Sequence, residues 1–303
     1  MTQLAVVHHE AYEVDIGPHV FPTLKYRLVL DQVLADGTIS RDDLVRPEPA
    51  SDDDVGLVHT PEYVGKLSKG TLSVTEQLVL EVPFSVELRD AMWLCAGGSI
   101  LAGKIALDHG LAFHLGGGFH HAFPDHGEGF CLINDVAIAI QALRRDGFIE
   151  SAVVIDCDVH HGNGTAAIFS GEADVFTFSM HQQHNYPAWK PPSDLDLGLE
   201  DGTGDAEYLS ALEHHVPRII DAHQPDLAFY LAGADPYEQD QLGGLRLTKE
   251  GLRRRDAAVL DSLCRAKVPT VVTLAGGYAQ HQDDTVEIHA NTLREAKRVV
   301  AAW

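Results

Sequence analysis

Apolar and polar positions change period repeatedly along this chain, and the changes mark out its elements. From about residue 111 onward, short β-rich apolar runs alternate with longer amphipathic segments whose apolar residues recur every three or four positions. The runs at 111–115, 152–155, 174–178, 227–231 and 270–274 are predicted strands, and the segments at 134–145, 206–222, 249–267 and 284–301 are predicted helices. This alternation implies an α/β fold, a mostly parallel multi-stranded sheet sandwiched between helices. The N-terminal part is less regular, with a strand predicted at 4–7 and helices at 24–34, after Pro61 and over 85–107, packed around the sheet. No repeat, low-complexity tract or linker-like stretch divides the chain, so residues 1–303 are read as a single domain.

Polar clusters at 116–121, 156–161, 179–181, 233–235 and 276–278 each fall just past an apolar run. In open parallel sheets that carboxyl edge is where ligands bind.

Composition narrows the picture. A 45% hydrophobic content suffices for a buried core. Cys95, Cys131, Cys157 and Cys264 lack CxxC spacing, which points to reduced thiols rather than a disulfide framework or a thiolate zinc site. A net charge of -23, from 45 acidic against 22 basic residues, would repel a phosphate backbone, so no direct nucleic-acid partner is expected. The first nine residues lack the basic region and apolar run of a signal peptide, and no stretch is expected to supply the roughly 18 apolar residues of a membrane span. A cytoplasmic protein without membrane association is the expectation.

Four segments carry candidate chemistry. In IDCDVHHGNG an extended backbone would place Asp156, Asp158 and His160 on one side and Cys157, Val159 and His161 on the other, giving two carboxylates and an imidazole suited to a metal ion. In HLGGGFHHA the glycines can deliver His120 and His121 into a confined pocket, and adjacent histidines suit acid/base work. Asp235 in AGADP could complete a three-ligand set with Asp158 and His160, leaving the open coordination of a catalytic zinc site. Tyr278 in LAGGY could donate a hydrogen bond to a developing oxyanion. Taken alone, an aspartate like Asp235 is more often a helix N-cap, and a tyrosine like Tyr278 more often a packing residue.

The ordered set GGGFHHA, GFCLINDVAIAI, VIDCDVHHGNG, FSMH, LAGADPYEQDQLGGL and LAGGY resembles the arginase/deacetylase superfamily, specifically its histone deacetylase branch. The resemblance runs from about His19 to the C-terminal helix. HHGNG, GTGDAEYL and DQLGGLRLTKEGL are most similar to class IV histone deacetylases and bacterial deacetylase-like proteins. The resemblance implies a zinc-dependent amidohydrolase acting on N-acyl-lysine, acetyl or longer fatty acyl, in protein or peptide. The alternatives are a small acylated amine such as an acetylpolyamine, or a non-catalytic module that binds acylated ligands.

It further implies Asp158, His160 and Asp235 as ligands of zinc, with ferrous iron a second candidate, and His120 and His121 as the tandem histidines. Tyr278 would polarise the carbonyl, Asp156 would stand behind His120, and Asn163 behind His121. Asn163 occupies a position that holds aspartate in class I; a neutral amide raises the imidazole's proton affinity less, which favours His121 as general base. A structural potassium is implied at Asp156, Asp158, His160, Ser179 and Met180. The lysine tunnel is implied at Gly129, Phe130, Tyr186, Gly276 and Gly277. The acidic residue that grips substrate backbone in class I has no match over 83–90. His8, His9, His19, His181 and His184 could line the entrance or simply sit at strand ends; the structural reading is favoured for all except His181, which is evenly placed. An arginase-type ureohydrolase would need ligands for two manganese ions, DxHxD and a second DxD, which DxDxH and GADP do not provide.

Overall fold

The computed structural model describes residues 4–301. Among the described residues, eight strands form one sheet in the order β2-β1-β3-β8-β7-β4-β5-β6. They are β1 (Ala5–Val7), β2 (Leu44–Val45), β3 (Leu111–His114), β4 (Ala152–Asp156), β5 (Val175–Gln182), β6 (Leu195–Leu199), β7 (Leu227–Leu231) and β8 (Thr270–Thr273). Every pairing is parallel. The last strand in sequence, β8, lies between β3 and β7 and joins the two halves of the sheet.

Successive side chains of the central strands enter opposite cores. Ala228 and Tyr230 of β7 and Val272 of β8 join one cluster, while Leu227, Phe229 and Leu231 of β7 and Val271 of β8 join the other. A strand buried on both faces must be apolar throughout, which is why these runs were legible without an alternating pattern. Helices α5 (Val86–His109) and α6 (Asp135–Arg145) pack together and supply the second cluster. Helices α8 (Asp205–His223), α9 (Lys249–Ala266) and α10 (Gln282–Val300) contribute to the first, with α1 (Lys25–Ala35) against α10.

Helix α5 corrects one expectation, because it is long and apolar enough to cross a membrane; two-thirds of its most apolar window is nevertheless buried inside the protein, against α6 and β3. Its all-round apolarity fits a core helix. All four cysteines are free.

Four short helices, α2 (Asp52–Val55), α3 (Pro61–Lys69), α4 (Val74–Leu80) and α7 (Asn163–Ile168), complete the fold. Only α3 was predicted: Thr60 caps it, Pro61 opens it and Gly70 closes it in the left-handed region. Strand β5 runs four residues beyond its predicted end at 178, because β6 extends the ladder from Phe178 to Gln182. The cluster at 179–181 therefore lies within the strand rather than past it. Strand β6 was missed: LDLGL alternates as a half-buried strand does, but it is short, follows the polar, proline-bearing stretch 190–194, and only its last residue is buried.

Candidate metal centre and active site

Where β4 ends at Asp156 the chain turns instead of continuing extended. The Asp158 amide donates to Asp156 Oδ1 at 3.1 Å, and the His160 amide donates to Asp158 Oδ1 at 2.9 Å. These side-chain turns correct the expected alternation: Asp158 and His160 come together, whereas Asp156 turns to His120. Beyond β7, Asp235 Oδ1 accepts from the Val159 amide at 2.9 Å, so it is no helix N-cap. Beyond β8, the Gly276 amide donates to Asp158 Oδ2 at 2.8 Å.

Asp158, His160 and Asp235 thus offer three ligand atoms within 4.8 Å of one another, all on buried residues. His160 Nδ1 lies 3.0 Å from Asp158 Oδ1 and 3.5 Å from Asp235 Oδ2. Asp235 Oδ2 is buried without a hydrogen-bond partner. Burial, then the neighbouring Asp158, push the Asp235 carboxyl well above its ordinary value. An orphaned oxygen and two crowded carboxylates beside one imidazole fit a divalent cation with nitrogen and oxygen ligands, such as zinc or ferrous iron. Gly276 makes this cradle possible, because a Cβ there would collide with carboxylate oxygens of both Asp235 and Asp158.

The glycine run after β3 places His120 and His121 beside the cradle. His120 Nδ1–H faces Asp156 Oδ2 at 2.7 Å. Burial disfavours charge on this ring, but Asp156 and then Asp158 outweigh it and raise His120 to about 9. His121 takes the opposite course: burial, then His120 and His160, hold it well below its ordinary value, so it is neutral. Its Nδ1 lies 2.6 Å from Asn163 Oδ1 and its Nε2 3.1 Å from His120 Nε2. Tyr278 comes from the loop after β8, and Asp240 Oδ2 fixes its amide at 2.7 Å. Burial, then Asp158 and Asp235, raise its phenol well above 10.0, so the hydroxyl keeps its proton.

A cavity of about 420 Å³ opens onto this group, with His121, His160 and Tyr278 at its wall together with Gly129, Phe130 and Tyr186. Gly276 and Gly277, expected in the tunnel, are not among its lining residues. Gly276 lies against the two carboxylates, and Gly277 packs near Ala234, Thr285 and His289. His19 and Glu81 also line the cavity. His19, taken as structural, packs edge-on against Phe130 with ring centres 5.0 Å apart, and its Nε2 lies 2.7 Å from the Glu81 carbonyl. Glu81, just upstream of the stretch searched for an acidic residue, is held there in the left-handed region at φ 59°. Burial, then Glu128, raise its carboxyl.

The residues implied for potassium are partly adjacent, since strand register sets Ser179 beside Asp156 and both Ser179 and Met180 are buried. The Ser179 hydroxyl is 3.0 Å from His181 Nδ1. His161 faces away from the cradle, with Nε2 3.0 Å from Asp196 Oδ1. His8 is half-buried beside Tyr12, His9 Nδ1 accepts from the Ala11 amide, and His184 stands exposed beside Glu200, consistent with structural or surface places.

Two positions had no sequence signal. Fully buried Lys25 donates to the Ala275 carbonyl at 2.6 Å, holding a residue whose φ is 53°. Fully buried Arg255 of α9 donates to the carbonyls of Gly233 at 2.5 Å and Cys157 at 3.3 Å, which precede Asp235 and Asp158.

A family model for the histone deacetylase domain matches residues 19–293. The chain belongs to the histone deacetylase family. Among relatives, an uncharacterized protein of Picosynechococcus is 41% identical over 97% of this chain and 98% of its own length. A probable deacetylase of Archaeoglobus fulgidus is 31% identical over 90% and 81%. Histone deacetylase 2 of Arabidopsis thaliana is 28% identical over 92% and 75%. In fold, a crystal structure of a histone deacetylase homologue complexed with SAHA superposes with a TM-score of 0.84 at 24% identity, over 98% of this chain and 84% of that one. The family and these relatives support hydrolytic deacetylase activity for this histone deacetylase-family chain.

Proposed function

We propose that this protein is a zinc-dependent deacylase that hydrolyses the amide of N-acyl-lysine, acetyl or longer fatty acyl, to a carboxylate and a free amine. The observation that carries the reading is the buried Asp158, His160 and Asp235 cradle at the foot of a cavity that a neutral His121 and a protonated Tyr278 also line. A divalent ion bound there would act as a Lewis acid and bring a water's pKa towards neutrality.

The chain's own groups then divide the work. His121 accepts the proton of the attacking water at Nε2. The Tyr278 hydroxyl donates a hydrogen bond to the carbonyl oxygen as negative charge develops on it. His121 returns its proton to the departing amine. His120, charged through Asp156, stabilises negative charge beside the site. Phe130 and Tyr186 flank the slender alkyl stem of the substrate. A potassium held through Asp156, Asp158, His160, Ser179 and Met180 would brace the cradle from behind.

The class IV resemblance favours longer acyl chains. A second reading, an acetylpolyamine deacetylase, draws on Glu81, which offers a carboxyl at the cavity to a second amine. A panel of acetyl, butyryl, octanoyl and myristoyl lysine peptides and acetylated polyamines, assayed with and without chelator, separates these readings. Chelator-sensitive turnover of a lysine peptide is expected; turnover confined to polyamines would establish the second reading, and turnover indifferent to chelator would end both. Replacing Tyr278 with Phe should lower turnover by about 10²-fold to 10³-fold, on the scale of losing one oxyanion donor, with zinc content intact.

A further inference from the structure

Behind Asn163 stands a carboxylate that the reaction as described does not use. Glu128 Oε1 accepts from Asn163 Nδ2 at 2.8 Å and from the Tyr186 hydroxyl at 2.9 Å. Its Oε2 lies 3.5 Å from His126 Nε2. The side chain is 17% exposed and is not among the residues lining the cavity.

An asparagine can present either end of its amide to a neighbour, so Asn163 alone does not dictate where the His121 proton sits. Glu128 removes the ambiguity. A carboxylate only accepts, so Asn163 must turn its NH₂ towards Glu128 and its Oδ1 towards His121. That oxygen also only accepts, so the His121 proton belongs on Nδ1 and the lone pair on Nε2. The His120 Nε2–H can then donate to His121 Nε2, while His120 Nδ1–H donates to Asp156. Every contact from Asp156 to Glu128 is satisfied in this one arrangement, with an acceptor-only carboxylate at each end.

We infer that Glu128 is a positioning residue that orients the Asn163 amide, and through it sets His121 in the Nδ1–H tautomer, which leaves the basic lone pair on Nε2. The inference rests on the deacylase reading for its effect on turnover, but the tautomer itself is independent of that reading. A carboxylate one step further back thus supplies the orientation that an aspartate at position 163 would supply directly. Because the amide stands between, His121 is oriented without a carboxylate in contact with its ring.

The test uses the full-length, zinc-loaded protein. Glu128→Ala removes the orienting acceptor and should lower kcat on an acyl-lysine peptide by about 10-fold or more, the scale of losing such an outer partner. Glu128→Gln can present either end of its amide to Asn163, so it should recover only part of that loss. Asn163→Asp needs no orientation, so Glu128→Ala/Asn163→Asp should turn over faster than Glu128→Ala, whereas Asn163→Asp alone crowds two carboxylates and should be slower than the double variant. In ¹⁵N-histidine NMR spectra, His121 should show a protonated Nδ1 in the wild type and a mixture of tautomers in Glu128→Ala. An unchanged kcat in Glu128→Ala, a double variant no faster than Glu128→Ala, or an unaltered His121 tautomer overturns the inference. If the wild type hydrolyses no acyl substrate while the tautomer still follows Glu128, the deacylase reading fails and the positioning role stands.

Discussion

At the scale of single residues, the cradle is defined as much by what is missing as by its ligands. Gly276 lies so close to the Asp158 and Asp235 carboxylates that a methyl group would take up the space between them. Gly276→Ala should therefore lose capacity for a divalent metal while retaining its secondary structure; elemental analysis after metal loading alongside far-UV circular dichroism checks this, and full metal occupancy would show that the carboxylates can move aside. The types of residue in the site were legible from the motifs: Asp156, Asp158, His160, Asp235, His120, His121, Asn163 and Tyr278 all converge. Their orientation was not legible, because it follows from side-chain turns at 156–160 that an extended reading does not contain. Glu81 and Glu128 went unread, and His19 was favoured as structural, because each lies in a loop, where no periodicity reports which way a side chain faces.

At the scale of elements, the loops bearing the ligands are held from behind by α9. Arg255 ties together the carbonyls after β4 and β7, and its Nε donates to Asp256 at 2.9 Å, a carboxylate that also accepts from the Tyr230 hydroxyl at 2.6 Å and the Thr292 hydroxyl at 2.7 Å. Removing one partner of a buried charged pair leaves the other without compensation. Arg255→Leu should destabilise the protein by about 3–5 kcal/mol in urea unfolding, and a loss within experimental error would place those carbonyls under other control. Sequence could not have nominated this residue, since an arginine run in an amphipathic helix ordinarily faces water. The long helices and buried strands were legible because their apolar periods persist over many residues. Helix α4 was missed although Ser73 and Glu76 form a capping box, and α7 because its glycine-rich start reads as a turn.

At the scale of the molecule, burial of neutral histidines should govern behaviour in acid. Burial holds His8 and His59 down to about 4 and His114 to about 3, against an ordinary 6.5. His59 Nδ1–H donates to the Phe123 carbonyl at 2.9 Å, while its Nε2 accepts from the Asn134 amide at 3.0 Å, so the fold needs it neutral. The unfolded chain takes up protons as pH falls below 6.5 while the folded chain resists until about 4, so stability is full above the first value and is lost towards the second. The melting temperature should fall steadily over that interval, and less steeply in His59→Gln; a flat profile in the wild type would contradict the argument. The sheet's arrangement has a consequence for biogenesis. Because β8 is synthesised after every other strand yet inserts between β3 and β7, a nascent chain emerging only as far as residue 269 has two strand ladders with no hydrogen-bonded link between them. Gly276 and Tyr278 follow on the same late segment, so closure of the sheet and completion of the pocket wall both wait until β8 and the loop after it have emerged from the ribosome.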